Sequence, residues 1–244
     1  MIPSKFLSKI GIHEVEIKGV KVKAIHVTYI NSSVLDQKIT QLKASLDKSR
    51  PVVGVDVKGT MRLDYQKLVH QHIPDLLILF AGNCCLVINL AHLSIFPDSL
   101  VRFLADKNTC FIGIGLNDKG GSCSSLKSCG FNASDVVEVR DLATRILKKP
   151  NLSKCGLQEL DNEVRNTASA AASSDSCPQP NTKASVLATV TGSSCPNWNA
   201  MVFSEDEMKY AIHDAYTCYV IGYKLLGILN AIHFNKNLIC VKKN

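Results

Sequence analysis

Three side chains stand where their types and spacing could do chemistry. In PVVGVDVK, residues 51–58, Asp56 interrupts a run of Val52, Val53, Val55 and Val57. A β-branched run of this kind is the pattern of a strand buried on both faces. A carboxylate placed in it is costly unless a metal, a cation or hydrogen bonds satisfy it. The plainer alternative is an Asp capping the strand end beside a turn. Towards the other end of the chain, KYAIHDAY sets Tyr210 and Asp214 four residues apart. On a helix that spacing projects both from one face. The adjoining His213 points elsewhere on such a helix and reads as a packing or surface histidine.

The elements that must position these residues follow from periodicity. Residues 15–29 alternate apolar and polar and read as one or two strands, with Gly19 as a turn or bulge. Val34, Ile39, Leu42 and Leu46 have helical spacing. The valine strand at 52–57 follows, and 59–71 is polar and mixed, with no assigned element. Residues 76–97 carry no charged side chain, a length that raises a membrane-span question. Ala81-Gly82-Asn83 divides that run into LLILF and CCLVINL, which predicts a buried hairpin instead. A helix is predicted at 97–105, a buried strand at 109–116, and helices at 141–148 and 156–164, with a short apolar segment at 136–139. Gly113-x-Gly115 lacks the third glycine and the following helix of a dinucleotide fingerprint.

Residues 167–185, TASAAASSDSCPQPNTKAS, are small and polar and read as a flexible insertion within the domain. Trp198 is the only tryptophan, and core packing is the favoured reading for it. Ser204 then reads as an N-cap, with Glu207 at the capping-box position. The helix it opens runs to about Leu229. Met208, Ala211, Ile212, Ala215, Tyr219 and Gly222 form a stripe that would lie on the sheet.

At 244 residues and 46% hydrophobic content the chain can bury a substantial core. Its net charge of +7 suits polyanion contact only modestly, since no Lys/Arg block is dense enough to count as a patch. Ten cysteines include no CxxC pair, and several sit in apolar runs as buried free thiols do. Cys123, Cys129 and Cys155 could share a metal, although their spacing does not demand it. A reducing, intracellular compartment, nucleus or cytoplasm, is expected. The N-terminus has no apolar core long enough for a signal peptide, and no membrane partner is expected.

Four segments carry a resemblance when taken in order: VVGVDV; FPDSLVRFLADKNTCFIGIGL; VVEVRDLA; and NWNAMVFSEDEMKYAIHDAYTCYVIGYKL. Together they resemble the DEDDy-type 3′–5′ exonuclease domains of the ribonuclease H-like (DnaQ-like) superfamily. The pattern is most similar to the Werner-syndrome-type branch and its plant members. The resemblance implies an α/β fold, a central mixed sheet of about five to six strands flanked by helices. It divides the chain into N-terminal strands and helix at 1–50, an exonuclease-like domain at 51–229, and an extension at 230–244.

In that family four carboxylates bind two divalent metals, Mg2+ or Mn2+, and a Tyr orients the attacking water. Asp56 matches the first motif's Asp, but Lys58 stands where its Glu belongs. The second motif's Asp position falls on Lys119, with Asp118 one residue early as a substitute acid. Tyr210 and Asp214 match the third motif. Two carboxylates and two ammonium groups would balance without metal, so salt bridges are expected where the metals would sit. The alternative is that Lys58 and Lys119 extend to solvent and leave two weak acids behind.

The expected function is therefore nucleic-acid binding, DNA or RNA, at a single strand or 3′ end. Lys58 and Lys119 would face the phosphates, and exonuclease activity would be lost or weak. Two alternatives remain. One is an active exonuclease using Asp118. The other is a self-associating module with no nucleic-acid role, suggested by the apolar stretches near residues 76–93 and 225–234.

Overall fold

The alternating N-terminal stretch forms two strands because a tight turn splits it. In the computed structural model, residues 11–27, 32–64, 69–90, 96–115, 135–171, 196–200 and 202–241 are described. Strands β1 (Ile12–Ile17) and β2 (Val20–Val27) pair antiparallel. Between them Lys18 and Gly19 both have positive φ, 50° and 79°, the geometry of a two-residue hairpin turn that matches strand twist. Helix α1 (Ser32–Ala44) follows, then β3 (Val52–Asp64), β4 (Val69–Ala81) and β5 (Cys84–Asn89). After α2 (Asp98–Leu104) come β6 (Cys110–Gly113), β7 (Val136–Glu138) and α3 (Val139–Leu147). A 3-10 turn (Pro150–Lys154), α4 (Leu157–Ala171) and α5 (Glu205–Val241) complete the described chain.

The strands form one mixed sheet in the order β1-β2-β5-β4-β3-β6-β7. β3 pairs antiparallel with β4 and parallel with β6. That is seven strands rather than five or six, because the stretch at 15–29 yields two. The uncharged run from Leu76 to Ala81 lies fully buried mid-sheet, as a hairpin reading requires and a membrane span does not. β3 and β4 also reach through the polar stretch that carries no period. Continued ladder pairing out to Asp64 and Val69 holds it extended, after a register shift between Lys58 and Gly59.

The sheet has a layer on each face. On one, Val53, Val55, Leu77, Leu79 and Phe111 pack with Leu35, Ile39 and Leu42 of α1 and with Leu100 and Phe103 of α2. On the other lies α5, whose Met208, Ala211, Ile212 and Ala215 are buried as the stripe predicted. Two glycines allow the close approach. A Cβ on Gly54 would lie 1.9 Å from the Ala215 carbonyl oxygen, and one on Gly222 would lie 2.2 Å from Ile112 Cδ1. α3 and α4 pack against the outer flank of α5 through Val139, Leu160, Val164, Cys218 and Leu225.

Two helices run longer than expected. α4 continues through Ala171, so the first five residues of the stretch read as an insertion are helical. TASAA contains three alanines, the best helix former, and simply prolongs a helix already begun. The rest of that stretch, with Asp118, Lys119, Cys123 and Cys129, lies outside the described residues. α5 begins as predicted: Ser204 N donates to Glu207 Oε2 at 2.8 Å, and Glu207 N donates to Ser204 Oγ at 3.2 Å. It extends to Val241 rather than ending near Leu229, since no glycine or proline follows to stop it. By length and composition Glu205–Ile232 could cross a bilayer, but its inner face is seated on the sheet. Among the described residues Cys84, Cys85, Cys110, Cys155 and Cys218 are free thiols.

Candidate active site

Alternation along β3 puts Gly54, Asp56 and Lys58 on one side of the strand. Gly54 is where the backbone of α5 comes closest, at Ala215. The preceding residue on that helix, Asp214, is thereby brought to the β3 side chains from 156 residues away. The absence of a side chain at Gly54 thus sets how far the strand's charges can reach across to the helix.

Lys58 lies between the two acids. Its Nζ is 2.8 Å from Asp56 Oδ2 and 2.8 Å from Asp214 Oδ2. It donates a well-formed hydrogen bond to Asp214, whereas the approach to Asp56 Oδ2 is ionic without good hydrogen-bond geometry. Asp56 also accepts from the Val57 amide at 2.8 Å on Oδ1. The side chains of Lys58, Asp56 and Asp214 are 15%, 16% and 36% exposed. Lys58 therefore does not extend to solvent.

Tyr210 and Asp214 do share a face of α5, and Lys58 Nζ lies 5.6 Å from the Tyr210 ring centroid. His213 departs from expectation. Its Nδ1 is 3.1 Å from Asp214 Oδ1, because the imidazole folds back along the helix onto its neighbour's carboxylate. Trp198, expected in the core, is buried there, and it also forms a wall of the site: its ring stacks on Tyr210 at 5.8 Å. Its position twelve residues before Tyr210 carried no periodic signal that could have placed it so.

The electrostatics follow from burial and pairing. Burial pushes the Asp56 carboxyl up, Lys58 pulls it down, and the charge on Asp214 adds to the rise. Burial alone would lower Lys58, but the two carboxylates outweigh it and hold the ammonium above the ordinary lysine value. Burial would raise Asp214, yet His213 and Lys58 hold it well below the usual carboxylate range. Cys218 lies nearby as an unreactive thiol, pushed up by burial and then by Asp56, Asp214 and Glu138.

Two carboxylates face one ammonium, so with all three ionised the described cluster keeps one negative charge. Asp56 and Asp214 are hard oxygen donors of the kind magnesium and manganese take. The space between them, however, holds the Lys58 ammonium. Among the described residues no group of three His, Cys, Asp or Glu side chains is placed to hold a metal ion. As arranged, this donor set does not fit a pair of dications.

No protein-family model and no curated protein matches the chain. Solved structures do. Escherichia coli RNase D, described as an exoribonuclease involved in structured RNA processing, is 14% identical over 84% of this chain and 45% of its own, with a TM-score of 0.54. Trypanosoma brucei RNase D is 13% identical over 84% of this chain and 64% of its own, at 0.51. The EXD2 exonuclease domain is 21% identical over 89% of this chain and 96% of its own, at 0.43. The sheet order, the helices on its two faces and the likeness to the two RNase D structures together show that the chain shares the mixed-sheet α/β fold of those structures.

Proposed function

We propose that this is a nucleic-acid-binding, exonuclease-like protein of the DEDDy class and Werner-type branch, in which metal-dependent phosphodiester cleavage is lost or weak. The observation that carries this reading is Lys58 Nζ at 2.8 Å from both Asp56 and Asp214. A dication entering between the carboxylates must first expel an ammonium that they hold protonated. Where a site works as a unit, losing one member removes most of the rate. The fold shared with an exoribonuclease supports nucleic acid, DNA or RNA, as the ligand class. Contact of phosphate with Lys58 requires the ammonium to leave its two partners; Lys119 remains a second candidate for that contact. The free thiols support a reducing, intracellular location.

The test is cleavage of a labelled 3′-recessed duplex and of single-stranded RNA in manganese, with wild type, Asp56→Ala and Lys58→Glu. Wild type should leave both substrates intact, and Lys58→Glu should bind manganese by calorimetry where wild type does not. Shortening by wild type that disappears in Asp56→Ala would overturn the reading.

A further inference from the structure

Tyr210 is held more firmly than an exposed tyrosine on a helix surface ordinarily is. It keeps 41% of its surface open, yet its ring lies within 4° of parallel to that of Trp198, which is only 4% exposed. Trp198 packs on Phe203 at 6.2 Å, and Phe203 packs on His26 of β2 at 4.9 Å. A column of rings rooted in the sheet therefore fixes the orientation of Tyr210 before any ligand arrives. A rigid aromatic surface costs little conformational entropy on binding.

The neighbouring charges indicate how a ligand would be held here. The Lys58 ammonium is already held by Asp56 and Asp214, so this cluster offers phosphate no uncompensated positive charge. An uncharged, flat, polarisable group suits the open part of Tyr210 better. We propose that Tyr210, backed by Trp198, is a stacking shelf for one unpaired nucleobase at the end of a single strand. Local affinity comes from that stacking and not from phosphate contact in the carboxylate pocket. Every base has a π-face, so the shelf tolerates any sequence but needs a base freed from its duplex. This inference rests on the nucleic-acid-binding reading above.

The test uses the full chain in EDTA, with fluorescence anisotropy of a labelled single-stranded oligonucleotide and the emission of Trp198, the only tryptophan. The comparison probes are an abasic strand of equal length and a blunt duplex. Wild type should bind the single strand with a saturable change in Trp198 emission and bind both comparison probes more weakly. Tyr210→Ala should weaken single-strand binding about tenfold, the scale of one lost base–aromatic stack. Tyr210→Leu keeps apolar cover over Trp198, guards against a folding defect, and should weaken binding equally; Tyr210→Phe should not. Unchanged affinity in Tyr210→Ala and Tyr210→Leu, or equal affinity for the abasic strand, overturns the shelf and leaves nucleic-acid binding intact. No binding of any probe overturns both. Cleavage by wild type in manganese would overturn only the loss of catalysis.

Discussion

Two clusters of three charges brace this domain, and they are mirror images. In the cleft, one cation, Lys58, sits between two acids. On the outer flank, one acid, Asp161 of α4, sits between two cations: Lys18 from the β1–β2 turn at 2.8 Å and Arg165 at 2.8 Å. The Asp161 side chain is 2% exposed, against 36% for Asp214. Burial would raise Asp161, but Arg165 and Lys18 hold it below the usual range. Lys224 of α5 lies near the same group, its ammonium pushed down by burial and by Arg165.

The flank cluster ties a hairpin turn to a helix through one shared acid; the cleft cluster ties a strand to a helix through one shared ammonium. The same device thus does two jobs. Where the shared ion is itself fully buried, as Asp161 is, it is a staple between elements. Where one acid stays partly open and an aromatic shelf adjoins it, it is a place a ligand can reach.

The largest effect expected from breaking this pair of clusters is at the flank. Asp161→Ala removes two charge-assisted hydrogen bonds at once, from Lys18 and from Arg165, each worth about 1.5–3 kcal/mol, so the loss is about 3–5 kcal/mol. Denaturant unfolding measures it; a loss below about 1 kcal/mol would mean that the flank behaves as an ordinary surface pair.

Acid separates both clusters from a third buried group. His26 is held down to about 4 from 6.5, by burial and then by His13. Its folded value lies below its unfolded one, so the unfolded chain takes up the proton first. Stability is full above pH 6.5 and falls by about 3 kcal/mol as pH drops to 4, since each pH unit between the two values costs about 1.4 kcal/mol. Asp214 and Asp161, held low, keep their contributions through most of that window, while Asp56, held high, offsets part of the loss. Thermal unfolding against pH should show this slope in wild type and lose it in His26→Leu.

The cleft should respond least. Lys58→Met leaves Asp56 and Asp214 facing each other, but partial exposure of Asp214 screens them, so the cost is about 1–2 kcal/mol. Manganese should restore that loss in the variant and leave wild type unchanged; equal stabilisation of both by the ion would contradict the role given to Lys58.

What could be read from the chain follows the range of the forces involved. The valine run, the hairpin turn at Gly82, the capping box at Ser204 and the shared face of Tyr210 and Asp214 are short-range patterns, and each formed as read. The polar arms of β3 and β4 carry no period of their own; they are strands because each supplies the other's ladder. The turn of His213 onto Asp214 and the stack of Trp198 under Tyr210 depend on side-chain packing around α5 that spacing does not encode.

By itself, then, the sequence determined which residues were chemically out of place: an acid and a lysine on a buried strand, and a Tyr–Asp pair on a helix. Only the tertiary structure decided that the lysine bridges both acids. That required α5 to settle against Gly54, a contact between segments far apart in the chain, and the separation of opposite charges depends on where the backbones pack.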